Sequence, residues 1–337
     1  MAENERGEGG RGGTGRVRLL SCIGVELELA LLPHFLDHYL GLGIAPDRIH
    51  VLLNAADAGS ERFDRADRIL ASRGVAPGER WVAPYTSEGM WQARRALQRR
   101  RAAEGDWIVN ADADELHRYP APLGTLVDYL RKGDFGAVQG VMIDRLSPDG
   151  TLAEVRAAPA LDAQFPVRAD VSLSVIGTGA THGVAGTTKL MLHRHDVFPN
   201  RGGHTALRDG MRPRYAAGTL LSLFPQAAVP AWRGSFPFRV EHFKWTATLR
   251  ESLGRRLSTP GVSVAGREYG SKIDRYLARH GKVRLEDAAV LPPVPAASDW
   301  RAELARLRRG APYWRVRSLV HARVGALGRL RSKVAAP

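Results

Sequence analysis

The chain has 337 residues, of which 44% are hydrophobic and 25% are charged, which is enough to bury a core and predicts one large domain. Its single cysteine, Cys22, excludes a disulfide framework within the chain and indicates a reducing compartment. No apolar run reaches the ~20 residues of a membrane-spanning helix, and the N-terminal segment lacks the apolar stretch of a secretory signal. We therefore expect a cytoplasmic protein.

The net charge of +14 is distributed unevenly along the chain. Residues 301–337 contain ten basic residues and one acidic residue, so this segment carries +9 of the total. A nucleic-acid binder would interleave basic residues with exposed aromatic residues, and this pattern is missing, so no specific nucleic-acid partner is expected. The basic tail is typical either of a solvated helix face or of peripheral contact with the inner face of an anionic membrane.

The first half of the chain alternates strands and helices. Residues 1–16 are rich in Gly, Glu and Arg and are expected to be disordered. Strands are predicted at residues 17–23, 48–53, 80–83 and 107–109, separated by helices at 26–42, 61–72 and 87–103. This order predicts an α/β fold with a Rossmann-like, mostly parallel sheet covered by helices on both faces.

The second half contains fewer clear elements. A helix is predicted at residues 122–132, strands at 135–143, 187–193 and 240–245, and a basic helix at 248–257. We predict one domain over residues 17–285, followed by a linker and a basic helical C-terminal extension over 286–337.

Polar residues follow each predicted strand of the first half. They are Glu26 after the first strand, Asn54 and Asp57 after the second, Tyr85 after the third, and Asp112 and Asp114 after the fourth. Ligands of parallel sheets collect at the carboxyl ends of the strands, so these residues are candidate ligand contacts. Neither Gly-x-Gly-x-x-Gly nor a Walker Gly-Lys-Ser/Thr is present, which disfavours a dinucleotide fold and a P-loop.

The stretch Trp107 to Glu115 has the strongest chemical signal. A buried-looking strand runs directly into Asp112 and Asp114, whose carboxylates are close enough to bind one divalent cation. Mg²⁺ and Mn²⁺ favour such oxygen ligands and leave positions for substrate phosphates. The Gly and closing Glu of an EF-hand loop are absent at the required spacing. The stretch therefore predicts a site for Mn²⁺ or Mg²⁺ and a nucleotide phosphate.

An ordered set of motifs resembles the family-two-like glycosyltransferases of the GT-A fold, in particular short soluble bacterial members. The resemblance covers residues 18–284, and its motifs are Val25-Glu26, Leu32 to Gly43, Trp107 to Glu115, Val141 to Gly150, Gln164 to Pro166, the strand with Lys189, Gly202 to His204 and His242 to Trp245. The usual Asn-Glu of the first motif reads Val25-Glu26 here. The Gln-x-x-Arg-Trp motif of processive synthases is absent, so a polymer-extruding synthase is not expected.

The resemblance implies donor-binding and metal-binding roles for particular residues. Asp114 would bind the metal, Asp112 would hold the donor ribose or a metal-bound water as well as the metal, and His242 would lie beside the metal or the diphosphate. Glu26 and Asp57 match positions near the nucleoside. Candidate contacts to the donor also include Lys189, His204, Lys244 and Arg95.

The resemblance also implies inversion at the anomeric carbon, which requires a general base on the acceptor side. Asp144, which follows a predicted strand, is the first candidate, and Asp170 and Glu241 are the other options.

The sequence thus predicts a metal-dependent glycosyltransferase. It would use a nucleotide-sugar donor and a glycan, lipid-linked or small-molecule acceptor. A nucleotidyltransferase with a similar acidic site is the second interpretation, and a non-enzymatic binding module that uses the Arg-rich tail is the third.

Overall fold

The computed structural model describes residues 16–177, 184–259, 262, 264–292 and 299–310. Nearly all of the N-terminal tail that is predicted to be disordered, and the basic tail beyond residue 310, lie outside this range. Within it, no helix combines the length and the apolar character that a membrane-spanning segment needs.

A ten-stranded sheet runs through the described part of the chain. Its strands are β1 (Val17–Gly24), β2 (Ile49–Ala55), β3 (Glu79–Val82), β4 (Trp107–Asn110), β5 (Glu115–Arg118), β6 (Ala137–Leu146), β7 (Val167–Asp170), β8 (Thr188–Arg194), β9 (Arg239–His242) and β10 (Ala289–Val290). The main order is β10-β7-β6-β8-β4-β1-β2-β3, and β9 pairs with both β5 and β6.

Helices connect these strands within the described residues. They are α1 (Leu32–Gly41), α2 (Glu61–Ala71), α3 (Ser87–Arg101), α4 (Leu123–Lys132), α5 (Leu161–Gln164), α6 (Val171–Ser174), α7 (Pro230–Ser235), α8 (Leu249–Ser258), α9 (Val264–His280) and α10 (residues 300–310).

Strands β1 to β4 form the parallel half of the sheet, with helices on both faces. Side chains alternate along β1, so that Leu19 and Ile23 pack in the cluster with α1 and α2, whereas Leu20 and Cys22 pack against α3. Burial on both sides explains why β1, β2 and β4 read as largely apolar runs, whereas the edge strand β3 contains charged and exposed residues. The α/β class and the two helical layers are confirmed.

The other half of the sheet is mixed. β8 is antiparallel to both β4 and β6, β7 is antiparallel to β6, and β9 is parallel to β6. The sequence analysis did not predict β5, β7 and β10, which have only two to four residues each. β5 and β7 each contain two charged residues among four, so neither reads as an apolar run, and β10 has only two residues.

Three predicted boundaries were wrong by three residues or more. The strand predicted over 135–143 continues to Leu146, so Asp144 lies within β6 and does not follow it. The first helix was expected over residues 26–42 but begins at Leu32, after a series of turns, with Pro33 in its first turn, where a missing N–H costs nothing. The strand predicted over 240–245 ends at His242. Beyond it, the Phe243 amide donates to the Asp114 carbonyl at 2.7 Å, and this contact turns the chain towards the end of β4.

The described part of the C-terminal extension packs on the main core. Trp300, Leu304 and Leu307 of α10 are buried in the same cluster as α1 and α4. The Trp300 ring lies edge-on to Tyr129 of α4, with ring centroids 4.8 Å apart. These contacts attach residues 300–310 to the domain, while the exact domain boundaries stay a prediction.

A buried ion pair anchors α7 beneath β6. Arg233 is fully buried, its Nε lies 2.5 Å from an Asp170 carboxylate oxygen, and its Nη2 donates to the Met142 carbonyl at 2.9 Å. Burial lowers the pKa of Arg233 and raises that of Asp170, in each case against the attraction of the partner charge. Each group therefore depends on the other to remain charged.

Replacing Arg233 with methionine should lower the free energy of unfolding by about 3–5 kcal/mol, because Asp170 would keep a buried charge without a partner. Urea unfolding followed by circular dichroism measures this loss. Arg100→Met, which removes an exposed arginine paired with Glu79, should cost under about 1 kcal/mol. Equal losses for the two variants would contradict the assignment.

Candidate functional site

The Asp-x-Asp-Glu stretch connects the carboxyl end of β4 to the start of β5. β4 lies between β1 and β8 and is fully buried, and β5 begins with Glu115 only five residues after β4 ends. The intervening turn carries Asp112 and Asp114 and is closed by the Glu115 amide, which donates to the Asp112 carbonyl at 3.0 Å. Two strands therefore hold this acidic turn rigidly.

Both carboxylate oxygens of Asp112 are engaged by cations. Lys189 Nζ on β8 donates to Oδ2 at 2.9 Å, and Arg94 on α3 donates to Oδ1. Burial by itself would raise the pKa of Asp112, but the neighbouring charges of Lys189 and Arg94 outweigh it and hold the pKa below its usual range. Asp112 is thus a permanent anion with its charge already balanced. The geometry therefore favours Asp114 over Asp112 as a metal ligand.

Glu115 completes this buried arrangement. Its carboxylate accepts a hydrogen bond from Lys189 Nζ at 2.8 Å and another from the Asp112 amide at 2.9 Å. Burial raises the pKa of Glu115 to about 7, although Lys189 opposes the shift. We call Asp112, Glu115, Lys189 and Arg94 the charge clamp, in which two cations balance two carboxylates. Arg94 and Glu115 were not among the predicted site residues.

Trp91 and Gly203 complete the surroundings of the clamp. The Trp91 ring lies 4.6 Å from the Arg94 guanidinium carbon and 5.5 Å from Lys189 Nζ, so both cations lie over an aromatic ring. Gly203 has a φ of +69°, and a β-carbon there would lie 2.5 Å from the Trp91 ring. Only glycine fits this position, which accounts for the Gly-Gly-His motif in physical terms.

A second chain of contacts runs from Asp114 through His242 to Asp144. His242 Nε2 lies 3.4 Å from Asp114 Oδ2, and its Nδ1 lies 3.0 Å from Asp144 Oδ1. The strand register sets this alignment, because His242 on β9 lies opposite Glu115 on β5 and opposite Asp144 on β6. We call Asp114, His242 and Asp144 the histidine relay.

The two carboxylates make the centre of the relay strongly attractive to a cation. Burial would lower the pKa of His242, but Asp114 and Asp144 outweigh it and raise the pKa to about 10. The other Asp144 oxygen accepts a hydrogen bond from the Val171 amide at 3.1 Å, so both of its oxygens are engaged. A metal-binding histidine usually donates its other ring N–H to a carboxylate, which fixes the orientation of the ring. Asp144 is in that position, and the other ring nitrogen of His242 faces Asp114.

Within the described ranges, no group of three or more His, Cys, Asp or Glu side chains has the arrangement of a complete metal site. Asp114 and His242 nevertheless fit as two ligands, because their facing atoms lie about as far apart as neighbouring ligands on one small cation. Mg²⁺ and Mn²⁺ sites commonly take their remaining ligands from water and substrate phosphates. The residues therefore fit a cation that is completed by a phosphate ligand.

Glu28, which the sequence analysis missed, belongs to this region. Its carboxylate accepts a hydrogen bond from the Gly24 amide at 2.6 Å, at the end of β1. Burial, and then the charge of Asp114, raise the pKa of Glu28 to about 8. Glu26 was predicted instead, and the structure pairs Glu26 with Arg255 of α8. Both glutamates follow the same strand, and only the fold of the turn decides which of them is close enough to feel the charge of Asp114.

Two other predicted contacts have local structural partners. The Asn54 amide nitrogen donates to the Trp81 and Ala83 carbonyls and so joins the ends of β2 and β3. Asp57 accepts a hydrogen bond from the Gly59 amide in an exposed turn. Both side chains therefore have hydrogen-bond partners within the protein, and their roles as ligand contacts stay a prediction.

The other four predicted donor contacts each contact a group within the protein. Tyr85 is exposed, with its ring 6.3 Å from Trp81, and Arg95 donates to the Pro199 carbonyl at 3.2 Å. His204 Nδ1 donates to the Thr188 carbonyl at 2.7 Å, and burial lowers its pKa, which favours the neutral ring. Lys244 Nζ donates to the Tyr269 hydroxyl at 3.2 Å.

The two alternative general bases, Glu241 and Asp170, each form an ion pair with an arginine. Glu241 is buried 3.0 Å from Arg145, and Asp170 pairs with Arg233. Their charges are therefore used within the fold.

No family model and no curated protein sequence matches this chain. Among solved structures, it is similar to a mannosyltransferase, PcManGT from Pyrobaculum calidifontis in complex with GDP-Man and Mn²⁺ (22% identity over 38% of this chain and 35% of that chain, TM-score 0.29). It is also similar to S. aureus TarS 1–349 (11% identity over 80% of this chain and 76% of that chain, TM-score 0.30).

A UDP-glucose pyrophosphorylase complexed with UDP-glucose is similar at 9% identity over 89% of this chain and 98% of that chain, with a TM-score of 0.26. Nothing about the present site depends on these three likenesses.

Replacing Lys189 with methionine should lower the free energy of unfolding by about 3–5 kcal/mol, because the buried Glu115 and the partly buried Asp112 would lose their shared cation. Adding Glu115→Gln to this variant removes one of those charges and should recover part of the loss. Urea unfolding of the two single variants and the double variant gives the coupling energy. Strictly additive losses would show that the clamp does not act as a unit.

Proposed function

We propose that this protein is a metal-dependent glycosyltransferase of the GT-A type that transfers a sugar, with inversion, from a nucleotide-sugar donor to an acceptor. One observation carries the proposal. The motifs that define the resemblance are spread over more than a hundred residues, yet Lys189 and His242 both contact the Asp-x-Asp-Glu turn, and Gly203 lies beside Trp91 and Asn110 at the end of β4. Chance motifs have no reason to meet at one sheet edge.

The residues suggest a division of labour in donor binding. Asp114 and His242 would hold Mn²⁺ or Mg²⁺, and the metal would act as a Lewis acid on the leaving diphosphate. The charge of His242, and to a smaller extent that of Lys244, lowers the pKa of Asp114, and Lys244 would donate to a phosphate oxygen of the donor. The charge clamp would hold the acidic turn in place while the diphosphate leaves.

Asp144 takes a different role from the one that the sequence suggested. A general base needs a free oxygen on the acceptor side, and both oxygens of Asp144 are engaged. We assign Asp144 as a positioning residue that keeps His242 Nε2 turned towards Asp114.

Screening UDP-, GDP- and dTDP-sugars with Mn²⁺ should find a donor that stabilises the protein, by about 2.7 kcal/mol at a hundredfold excess over its dissociation constant. Asp114→Asn should abolish this stabilisation, because it removes the charged ligand that faces His242. Thermal unfolding and calorimetry measure both effects. Asp128→Asn, at an exposed position on α4, is the matched control and should behave as wild type. Donor binding that is unchanged in Asp114→Asn would reject the site.

The positioning role of Asp144 has its own test. Asp144→Ala should weaken Mn²⁺ binding by about 10–100-fold, the usual effect of losing the group that orients a metal-binding histidine. Asp144→Asn keeps a hydrogen-bond acceptor for Nδ1 and should recover part of that affinity. Calorimetric titration with Mn²⁺ alone measures both variants. If Asp144→Asn binds Mn²⁺ and donor as wild type but transfers no sugar, Asp144 is the general base after all.

A further inference from the structure

Four neighbouring strands each place an arginine on the same face of the sheet. The strands lie in the order β5, β9, β6 and β7, and their arginines are Arg118, Arg239, Arg145 and Arg168. Arg118 lies opposite Arg239, and Arg145 lies opposite Arg168. We call these residues the arginine cluster.

The cluster lies on the other face of the sheet from the histidine relay. Successive residues of a strand point to opposite faces. Asp144 and His242, which lie opposite each other on β6 and β9, therefore point to one face, and their neighbours Arg145 and Glu241 point to the other. The cluster is therefore separate from the proposed donor site, although the same two strands carry both.

Two carboxylates lie among the four guanidinium groups. Glu241 is central, with its oxygens 3.0 Å from Arg145, 3.6 Å from Arg168 and 4.0 Å from Arg239. Asp162 of α5 pairs with Arg145 at 2.9 Å and with Arg118. Four positive groups against two negative groups leave two positive charges unbalanced in this described part of the chain.

One donor of the cluster, Arg168 Nη2, has no acceptor among the residues that the structure describes, and the Nε atoms of Arg168 and Arg239 face Glu241 from beyond hydrogen-bond distance. Arg168 Nη1 donates to the Pro292 carbonyl and Arg239 Nη1 to the Phe236 carbonyl, each at 2.9 Å. A buried donor without a partner costs free energy, and an anion that accepts from it would recover it.

The environment of these arginines disfavours their charge. Burial, together with the nearby Arg145, lowers the pKa of Arg168, and burial with the nearby Arg168 and Arg118 lowers that of Arg239, against the pull of Glu241. One side of the cluster is open to solvent, because the Arg118 and Asp162 side chains are 36% and 46% exposed, whereas those of Arg145 and Glu241 are 7% and 5% exposed. An anion could therefore enter beside Arg118 and Asp162.

We propose that the arginine cluster is a binding site for a phosphoryl group, taken as a dianionic phosphomonoester or inorganic phosphate. A phosphomonoester carries nearly two negative charges near neutral pH, which match the two unbalanced positive charges. It also has three acceptor oxygens, and arginine is well suited to bind such groups through paired N–H donors. A single carboxylate would neutralise only one of these two positive charges.

Titration calorimetry with inorganic phosphate, in EDTA and at constant ionic strength, tests the site directly. Wild-type protein should bind one phosphate. Arg239→Gln should weaken binding roughly tenfold to a hundredfold, the loss expected for one charge-assisted hydrogen bond. Asp162→Asn removes a competing carboxylate and should strengthen binding. If Arg239→Gln does not fold, Arg118→Gln at the exposed rim replaces it.

Two controls separate the cluster from other phosphate-binding surfaces. Arg100→Gln removes an exposed arginine on α3 and should leave phosphate binding unchanged. Lys244→Gln alters the proposed donor site on the other face and should also leave it unchanged. The proposal is overturned if wild-type protein does not bind phosphate, if both Arg239→Gln and Arg118→Gln bind as wild type, or if Lys244→Gln alone removes binding.

The same chemistry occurs in soluble phosphomonoesters and in lipid headgroups. Glycerol phosphate and phosphatidylcholine vesicles that contain phosphatidic acid distinguish the two sources in otherwise identical titrations. Cluster-dependent binding of either one supports the site and names its source. Failure of both to compete with bound inorganic phosphate would contradict a phosphomonoester site.

Discussion

The buried ion pairs of Lys189 with Asp112 and Glu115 are the interaction on which the candidate site depends. Taking a charge out of water costs several kcal/mol, so a fold can keep two carboxylates at a sheet edge only by placing cations beside them. Lys189 on β8 and Arg94 on α3 provide those cations from elements far apart in the sequence. The acidic turn, the central strand and the helix behind it are thereby held as one unit.

That neutral clamp leaves the remaining acidic group available for chemistry. Asp112 and Glu115 are balanced internally, whereas Asp114 faces His242, whose other nitrogen is held by Asp144. A rigid, charge-balanced support beside a negatively charged relay is what a cation and a diphosphate require of their binding site, because the support does not have to reorganise when charge moves. Asp112 and Glu115, which stabilise the turn, and Asp114, the proposed metal ligand, are therefore neighbours in sequence that have different roles.

Strands β6 and β9 carry different charged groups on their two faces. Alternation along β6 and β9 places Asp144 and His242 on one face, and Arg145 and Glu241 on the other. Moving the register of either strand by one residue would exchange these faces and bury unpaired charge on both sides. The charged pairs therefore specify strand register in a part of the sheet whose strands are short.

The sequence by itself determined the parallel half of the sheet, because apolar segments at β1, β2 and β4 alternate with helical segments that have a clear period. It also located the acidic turn, since Asp112 and Asp114 directly follow the apolar strand Trp107 to Val109. The resemblance selected Lys189 and His242, which local patterns alone would not have separated from other buried polar residues.

Only the tertiary structure decided how these residues divide their roles. Whether Glu26 or Glu28 lies near the charge of Asp114 depends on the turn after β1, and whether Asp144 is free depends on its contacts with β9 and α6. Arg94 and the arginine cluster could not be predicted, because an arginine looks the same in sequence whether it is solvated or buried beside a carboxylate. Pairing across strands is a long-range property, and the charge balance of this protein is set at that level.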